Sequence, residues 1–578
     1  MQVGFLYGDL FRAFLAYVII VLPACFLSWR YYGAKSTSFK FLMGNIWGIA
    51  LSVYLISLVG HFSFHSFYYI LFAVYAVLFF VCHKYCAPKT KTTLSLKEDY
   101  LLVIAGLVFV VRFVPLLFVD LPHGSDPSFH LVFVQKILNE NILPKDWLPF
   151  ESIPLNYSLG MHGFIAVISE VAGVASHQIF KLGFAFFPAL SAGLLAALIE
   201  RISGSKAIAL WSSLSWAFFA FWGGLDFFSW GGLPTLMGST VFLGLLAVLL
   251  DVRPKGVFLI AALLLVSIIS IHNHSGLCAL LVLVGYCLLS IGVERKIQGL
   301  ARDLFLALLS SVVLGAHIVF KYIRDFLMME GETGLFRFYE GLISFENIIE
   351  ASGPYFFCLV VPGLFLFVRG MQREEDYFWL TWFCILFGFF VGLEYVYRFA
   401  VYFLEGEFYT ALTPSRFLTV CAFPAAFFAG TTINFCLTRL KKPRFQAILS
   451  IFLILGMGWY TYYILKRHAH PVGHVDFEAM QWIRENTPED AFILNNNKWL
   501  PYLTWREGTL TPLPSSERRN APSVRFKTEA LSSFDKFLDW QKSFSRPIYR
   551  LEQPGHQLVG RFKEVFRTKE TIVYVWQR

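Results

Sequence analysis

Charge is what this sequence has least of. Of 578 residues, 15% are Asp, Glu, Lys or Arg, whereas 57% are hydrophobic, and the mean hydropathy is +0.59. A soluble chain of this length needs far more polar surface to stay dissolved, which excludes an ordinary water-soluble enzyme. The net charge of +9 does not bring nucleic acid back as a partner. Its Lys and Arg residues stand in short clusters between apolar runs, as topogenic loops do. Cysteine is missing after Cys436, so no disulfide framework is expected in the polar C-terminal part. The nine cysteines lie within or beside apolar segments, and the Cys82-His83-Cys86 spacing is read as structural rather than metal-binding. There is no Gly-rich phosphate loop, dinucleotide fingerprint or nucleophile elbow, which leaves soluble nucleotide chemistry without support. The first residues lack a basic leader and a small-residue cleavage site, so no cleavable signal peptide is expected. No repeat of 20–50 residues is visible.

What is abundant is apolar sequence, including 63 Phe. A helix needs roughly 20 apolar residues to cross a hydrocarbon core. Candidate spans lie near 9–29, 41–59, 67–82, 100–119, 179–199, 207–222, 236–250, 257–271, 276–291, 303–320, 354–369, 377–395, 417–437 and 446–465. The expected fold is therefore an α-helical polytopic membrane protein of about fourteen transmembrane helices. Basic residues orient it. The clusters Arg30-Lys35-Lys40, Lys84-Lys89-Lys91, Arg201-Lys206, Arg253-Lys255, Arg295-Lys296-Arg302, Arg369-Arg373 and Arg439-Lys441-Lys442-Arg444 all fall on one side, the cytoplasmic one. This count depends on segment 160–175 not crossing. That segment is only about 24 Å long as a helix, and Glu170 would enter hydrocarbon. It is expected to lie on the outer surface as an amphipathic helix. The outer side then holds the N-terminus, loops 120–178, 223–235, 272–275, 321–353 and 396–416, and everything after about residue 470.

The tail alternates helix and strand signals: an amphipathic helix over Asp476–Glu485, a strand at Ala491–Leu494, helical periodicity over Lys527–Phe544 and a β-branched run at Thr571–Trp576. A small C-terminal α/β extracytoplasmic domain follows. The expected organisation is a three-helix membrane extension over 1–95, a transmembrane catalytic domain over 96–468 and the soluble domain over 469–578.

Residues able to carry chemistry concentrate in the outer loops. Asp126-Pro127 opens an amphipathic helix, with His123 and His130 on either side. Asp126 is a good helix cap, and it is also placed to accept a proton from a hydroxyl or to ligate a cation. Asp226 is the only charge in Trp222–Thr235, where Trp230 stands between two Gly-Gly pairs. That tryptophan is either an interfacial residue or a stacking platform for a sugar ring. His272 and His274 either polarise a helix end or meet a metal or phosphate. Glu330 and Glu332 are read as helix surface. Arg416 and Arg398 share the last outer loop and suit either a lipid phosphate or simple snorkelling. Arg112 lies within a membrane helix, a functional candidate unless it pairs with Asp120 or another acid.

In this order the residues resemble the GT-C superfamily of membrane glycosyltransferases, over about residues 100–578. Asp126-Pro-x-Phe-His130 resembles the first outer loop of archaeal oligosaccharyltransferase catalytic subunits, and Pro154-x-x-Tyr157-x-x-Gly160-x-His162 resembles the stretch that follows it. Met480–Ala491 resembles the start of their soluble domain. The resemblance implies that Asp126 is the catalytic base or a metal ligand and that Asp226 assists. It also implies a polyprenyl-phosphate-linked sugar donor in the bilayer, with Arg416 where its phosphate is expected; His130, Tyr157, His162, Trp230, His272, His274 and Arg398 are the further candidate substrate contacts. A divalent cation, Mg or Mn, on Asp126 and Asp226 is the cofactor it admits, and many relatives work without one. The Trp-Trp-Asp signature that reads a peptide acceptor in oligosaccharyltransferases is absent. Asn495–Tyr502 stands there without an acid, so the acceptor stays open among lipid, glycan and protein. The expected activity is inverting sugar transfer at the outer face of the cell membrane. The alternative is a transporter or a flippase for lipid-linked sugars, whose ionisable residues would sit near the bilayer midplane.

Overall fold

In the computed structural model, every one of the fourteen predicted segments coincides with a helix. The structure describes residues 7–32, 35–85, 100–119, 121–122, 124, 126–147, 151–154, 157–227, 231–250, 256–293, 298–318, 320, 353–370, 376–404, 414–468, 476–494, 499–508, 546–552, 554 and 562–577. Among the described residues, seven helices combine the length and composition needed to cross a membrane: Gly8–Tyr31, Thr37–Val59, Ser176–Ser203, Leu233–Leu250, Tyr377–Val396, Phe417–Arg439 and Pro443–Ile464. Shorter apolar helices such as Tyr100–Leu116, Val257–Ile271 and Pro354–Gly370 fill in between them. The chain is an integral membrane protein. Its outward faces carry large apolar side chains, among them Phe14, Phe26, Phe80, Phe452 and Trp459, as lipid contact requires. The side chains of Cys82, His83 and Cys86, residues Glu330 and Glu332, and segment 527–544 lie outside the described residues.

Local chemistry sets the helix ends. Ser36 and Ser205 accept the amides of Phe39 (3.2 Å) and Ile208 (3.3 Å), satisfying first-turn donors. Inside the bundle small residues let backbones approach, since lipid tails offer helices no hydrophobic drive to associate. Gly44 lies on Cys25, Gly48 on Val21, Gly193 on Leu42 and Gly244 on Ile46. One continuous apolar core runs from the first helix to the last membrane helix.

Contacts between helix ends sort them into two sets at opposite ends of the bundle. One set joins Arg12 to Gly173, Phe64 to the carbonyl of Asn141 (2.8 Å) and Leu143 to that of Gly60 (2.7 Å). It also joins Ser158 to Asn273 and Ser176 to Tyr502 (2.9 Å). The other joins Ser28 to Lys40 (2.7 Å), Tyr100 to Glu200 and Glu200 to Lys206 (3.8 Å). The second set includes the basic residues Lys40 and Lys206.

Segment 160–175 departs from expectation. It forms the helix Gly160–Ala172, and both of its ends touch only the first set, so it does not cross. It does not lie on the surface either. Residues Gly160–Ser169 and Ala172 are buried among helices Tyr7–Tyr31, Thr37–Val59, Asp126–Glu140 and Ser176–Ser203. The physical reason is composition: Gly160, Gly163 and Ala166 give it slim faces that admit neighbouring backbones, and Glu170 is left exposed at its end beside Tyr68 (2.5 Å).

A two-stranded hairpin, β1 (Asp146–Trp147) and β2 (Glu151–Pro154), interrupts the long loop. The tail is a five-stranded sheet built from β3 (Phe492–Leu494), β4 (Glu507–Gly508), β5 (Ile548–Glu552), β6 (Phe562–Arg567) and β7 (Ile572–Trp576), in the order β4-β3-β5-β7-β6. β3 runs parallel to β4 and β5, and β7 is antiparallel to β5 and β6. Helix Phe477–Asn486, capped by Asp476 on the Ala479 amide (3.1 Å), packs Ala479, Met480 and Ile483 on this sheet.

Candidate functional site

Asp126 is the first residue of the helix Asp126–Glu140, with Pro127 behind it, where a fixed φ and a missing N–H cost nothing. It is partly exposed at the first end of the bundle. Pro127 rests directly on the backbone of Gly231, whose φ of 91° and lack of Cβ make that approach possible. The first acidic loop therefore sits on the second.

Asp226 closes a single π-helical turn, Phe221–Leu225, an irregularity often found at functional sites. Its amide reaches the Phe221 carbonyl at 2.9 Å, and its Oδ1 accepts the Gly223 amide at 2.8 Å. Gly223, at φ 78°, lies against the Thr419 carbonyl, where any side chain would overlap. Asp226 is 6% exposed. Arg112 reaches the same turn from the helix Tyr100–Leu116, donating to the carbonyls of Ala217 (2.7 Å) and Gly224 (3.1 Å). Asp226 is its opposing charge. Asp120, the other acid that the sequence offers Arg112, lies outside the described residues.

The helix Pro414–Arg439 packs on this turn, and its start also meets a junction that carries two histidines. His272 caps the helix Val257–Ile271, with Nδ1 2.9 Å from Ser275 Oγ and Nε2 3.4 Å from Thr235 Oγ1. His274 packs edge-on to Phe417 at 4.6 Å. Phe417 and Thr419 belong to the first turns of the helix Pro414–Arg439, so Arg416 stands at the N-terminus of a helix that touches both the Asp226 turn and the His274 junction. The side chains of Arg416 and Arg398, and all of Trp230 and His123, lie outside the described residues.

His130, Tyr157 and His162 do come together. His130 Nδ1 and His162 Nε2 are 3.0 Å apart, Tyr157 stacks on Phe133 at 5.6 Å, and His130 stacks on Phe180 at 6.1 Å. Both imidazoles are enclosed, His130 at 4% exposure and His162 at 0%. They fasten the Asp126 helix to the Gly160–Ala172 helix, and Tyr157 is the half-buried member facing outward. Sequence reasoning missed Lys181, buried in the helix Ser176–Ser203, whose Nζ donates to the Val119 carbonyl (2.5 Å) at the entrance to the Asp126 loop.

As a metal pair the two acids fit poorly. One Asp226 oxygen is held by the Gly223 amide, an arginine already supplies the opposing charge, and among the described residues no three His, Cys, Asp or Glu converge as a divalent-ion site needs.

No protein-family model and no curated protein matches the sequence. Solved structures do. The chain superposes on ArnT from Cupriavidus metallidurans bound to undecaprenyl phosphate with a TM-score of 0.55 at 13% identity, covering 82% of this chain and 98% of that one. It superposes on the Archaeoglobus fulgidus oligosaccharyltransferase tethered to an acceptor peptide containing the NVT sequon with a TM-score of 0.55 at 12% identity, covering 79% and 69%. The fold is GT-C-like. A second structure of that oligosaccharyltransferase, in complex with Zn and sulfate, gives 0.52 at 13% identity over 78% and 68% of the chains. Identities this low establish a distant relationship of architecture, and within this GT-C-like frame the two acidic loops and the His272–His274 junction meet at one end of the bundle.

Proposed function

We propose that this protein is a membrane glycosyltransferase that moves a sugar from a polyprenyl-phosphate carrier to a hydroxyl acceptor at the extracytoplasmic face of the cell membrane. The observation that supports the reading is the seating of Pro127 on Gly231, which sets the first acidic loop against the second. Membrane glycan transferases among the fold relatives support the same class. Asp126 takes the proton of the acceptor hydroxyl as its oxygen attacks the anomeric carbon. The bond from that carbon to the phosphate oxygen breaks on the opposite face, so configuration inverts. The leaving phosphate gathers charge near Arg416, assisted by Arg398 and by the positive end of the Pro414–Arg439 helix. Asp226, with Arg112, keeps the second loop in shape behind Asp126. Burial of the isoprenoid tail holds the donor in place.

The acceptor is not named by this site. Trp499 (0% exposed) and Tyr502 (7%), from the stretch that replaces the peptide-reading signature, are buried against the membrane helices and present no surface to a peptide.

The test is Asp126→Asn in the full chain, reconstituted in nanodiscs with a panel of polyprenyl-phosphate-linked sugars and assayed for released polyprenyl phosphate. Loss of a general base lowers turnover about a hundredfold or more. Unchanged turnover refutes the assignment. Labelling of a cysteine placed in the tail from the cytoplasmic side only would refute the face.

A further inference from the structure

The tail meets the membrane bundle through the short helix Leu500–Thr504, which packs on the helix Asp126–Glu140. Its anchor is Tyr502. The phenol oxygen lies 2.9 Å from Ser176 Oγ and 3.1 Å from His177 Nδ1, and it accepts the His177 amide at 3.2 Å. Burial pushes the phenol above its ordinary pKa, so it stays neutral at any physiological pH.

The residues it grips open the helix Ser176–Ser203, and that same helix end holds the catalytic loop twice more. Phe180 stacks on His130, one turn along from Asp126, and Lys181 ties down Val119 where the loop begins. Behind Tyr502, Arg506 braces the short helix. Its Nε donates to Thr487 Oγ1 (3.1 Å), and its Nη2 donates to the carbonyls of Thr487 (2.7 Å) and Arg484 (3.1 Å). Trp505 turns the chain between them in the left-handed region at φ 57°, which a bulky side chain tolerates only when its surroundings demand it. A path of packed and bonded groups thus runs from the tail sheet to the base.

We infer that Tyr502 is a positioning residue: the tail domain clamps the Ser176–Lys181 helix end and through it fixes the Asp126 helix in its reactive place. The inference rests on the transferase reading for its consequence, not for its physical content. The clamp is measurable without any sugar.

The experiment is hydrogen exchange on the full chain in nanodiscs, comparing the wild type with Tyr502→Phe and Tyr502→Ala. Tyr502→Phe keeps the ring and loses the oxygen. Exchange over Asp126–Glu140 is expected to rise at least roughly three- to tenfold in the phenylalanine variant, which loses the oxygen shared by Ser176, the His177 amide and His177 Nδ1, and further in the alanine variant. β5 and β7 stay protected in both. Ser176→Ala added to Tyr502→Phe adds nothing, because the bond is already gone. With an active preparation, Tyr502→Phe lowers kcat by a similar factor and leaves the donor KM unchanged. Exchange over Asp126–Glu140 that stays at the wild-type rate in both variants overturns the clamp. So does exchange that rises equally in β5 and β7, since that is loss of the tail fold. A wild type that transfers no sugar yet shows the exchange pattern sinks the transferase reading and leaves the clamp standing.

Discussion

The two acidic loops have opposite constructions. Asp126 stands half-exposed at a helix start, while the segments around it are held by packing: His130 on His162, Pro127 on Gly231, Lys181 on Val119. Asp226 is buried, has one oxygen on a backbone amide, and shares its turn with a guanidinium that binds two further carbonyls. A carboxylate that must exchange a proton with an arriving hydroxyl has to remain accessible to it. A carboxylate that keeps a turn in shape has to be enclosed. The pair differs in this respect: Asp126 is open at a helix start and Asp226 is enclosed in its turn.

That contrast breaks most sharply at Arg112. Arg112→Met strands the Asp226 charge in the interior and is expected to cost about 3–5 kcal/mol of stability, read as a large drop in thermal unfolding temperature. Adding Asp226→Asn should recover at least half of the loss. If the double variant is no more stable than the single one, Asp226 is not the guanidinium's counter-charge. Next in size is Gly231→Val, which pushes the second loop away from Pro127. A displacement near 1 Å at the reacting groups costs on the order of a hundredfold in turnover, with stability falling far less than for Arg112→Met. Asp126→Asn should show the reverse profile of the arginine variant: turnover lost, but stability changed by only about 0.3–1 kcal/mol, the scale of an acid at a helix N-terminus. A large melting shift in that variant would mean that Asp126 is structural like Asp226. The smallest effect belongs to His162→Phe. It removes one buried hydrogen bond while keeping the ring volume, and about 1 kcal/mol of stability is expected to go, with turnover reduced modestly through the tilt of the Asp126 helix.

Much of this was legible in the residues. Helix positions follow from runs of apolar sequence, and the pairing of loop ends follows from where Lys and Arg stand, because both are averages over many residues. The Asp126-Pro127 start and the Asp476 cap are local signals and appear where expected. What escaped was set by partners far away in the chain. Gly160–Ala172 carries an apolar pattern that suits a surface or an interior equally, and only the neighbours decide. Arg112 finds its turn more than a hundred residues later. Strands β5 and β6 went unread because IYRLE and FKEVFR carry too many charges for a buried strand, and they lie where the sheet is half exposed. Tyr502 looked like part of a missing signature. Its hydroxyl is bonded 326 residues upstream, at Ser176.

That distance has a consequence for biosynthesis. Ser176 leaves the ribosome long before Tyr502 does, and the last membrane helix and the tail sheet must both be in place before the two can meet. A chain halted after its final span would hold its helices and still lack the bond between Tyr502 and Ser176. Under the proposed clamp, the Asp126 helix settles only once the tail has reached the Ser176 end of its neighbour.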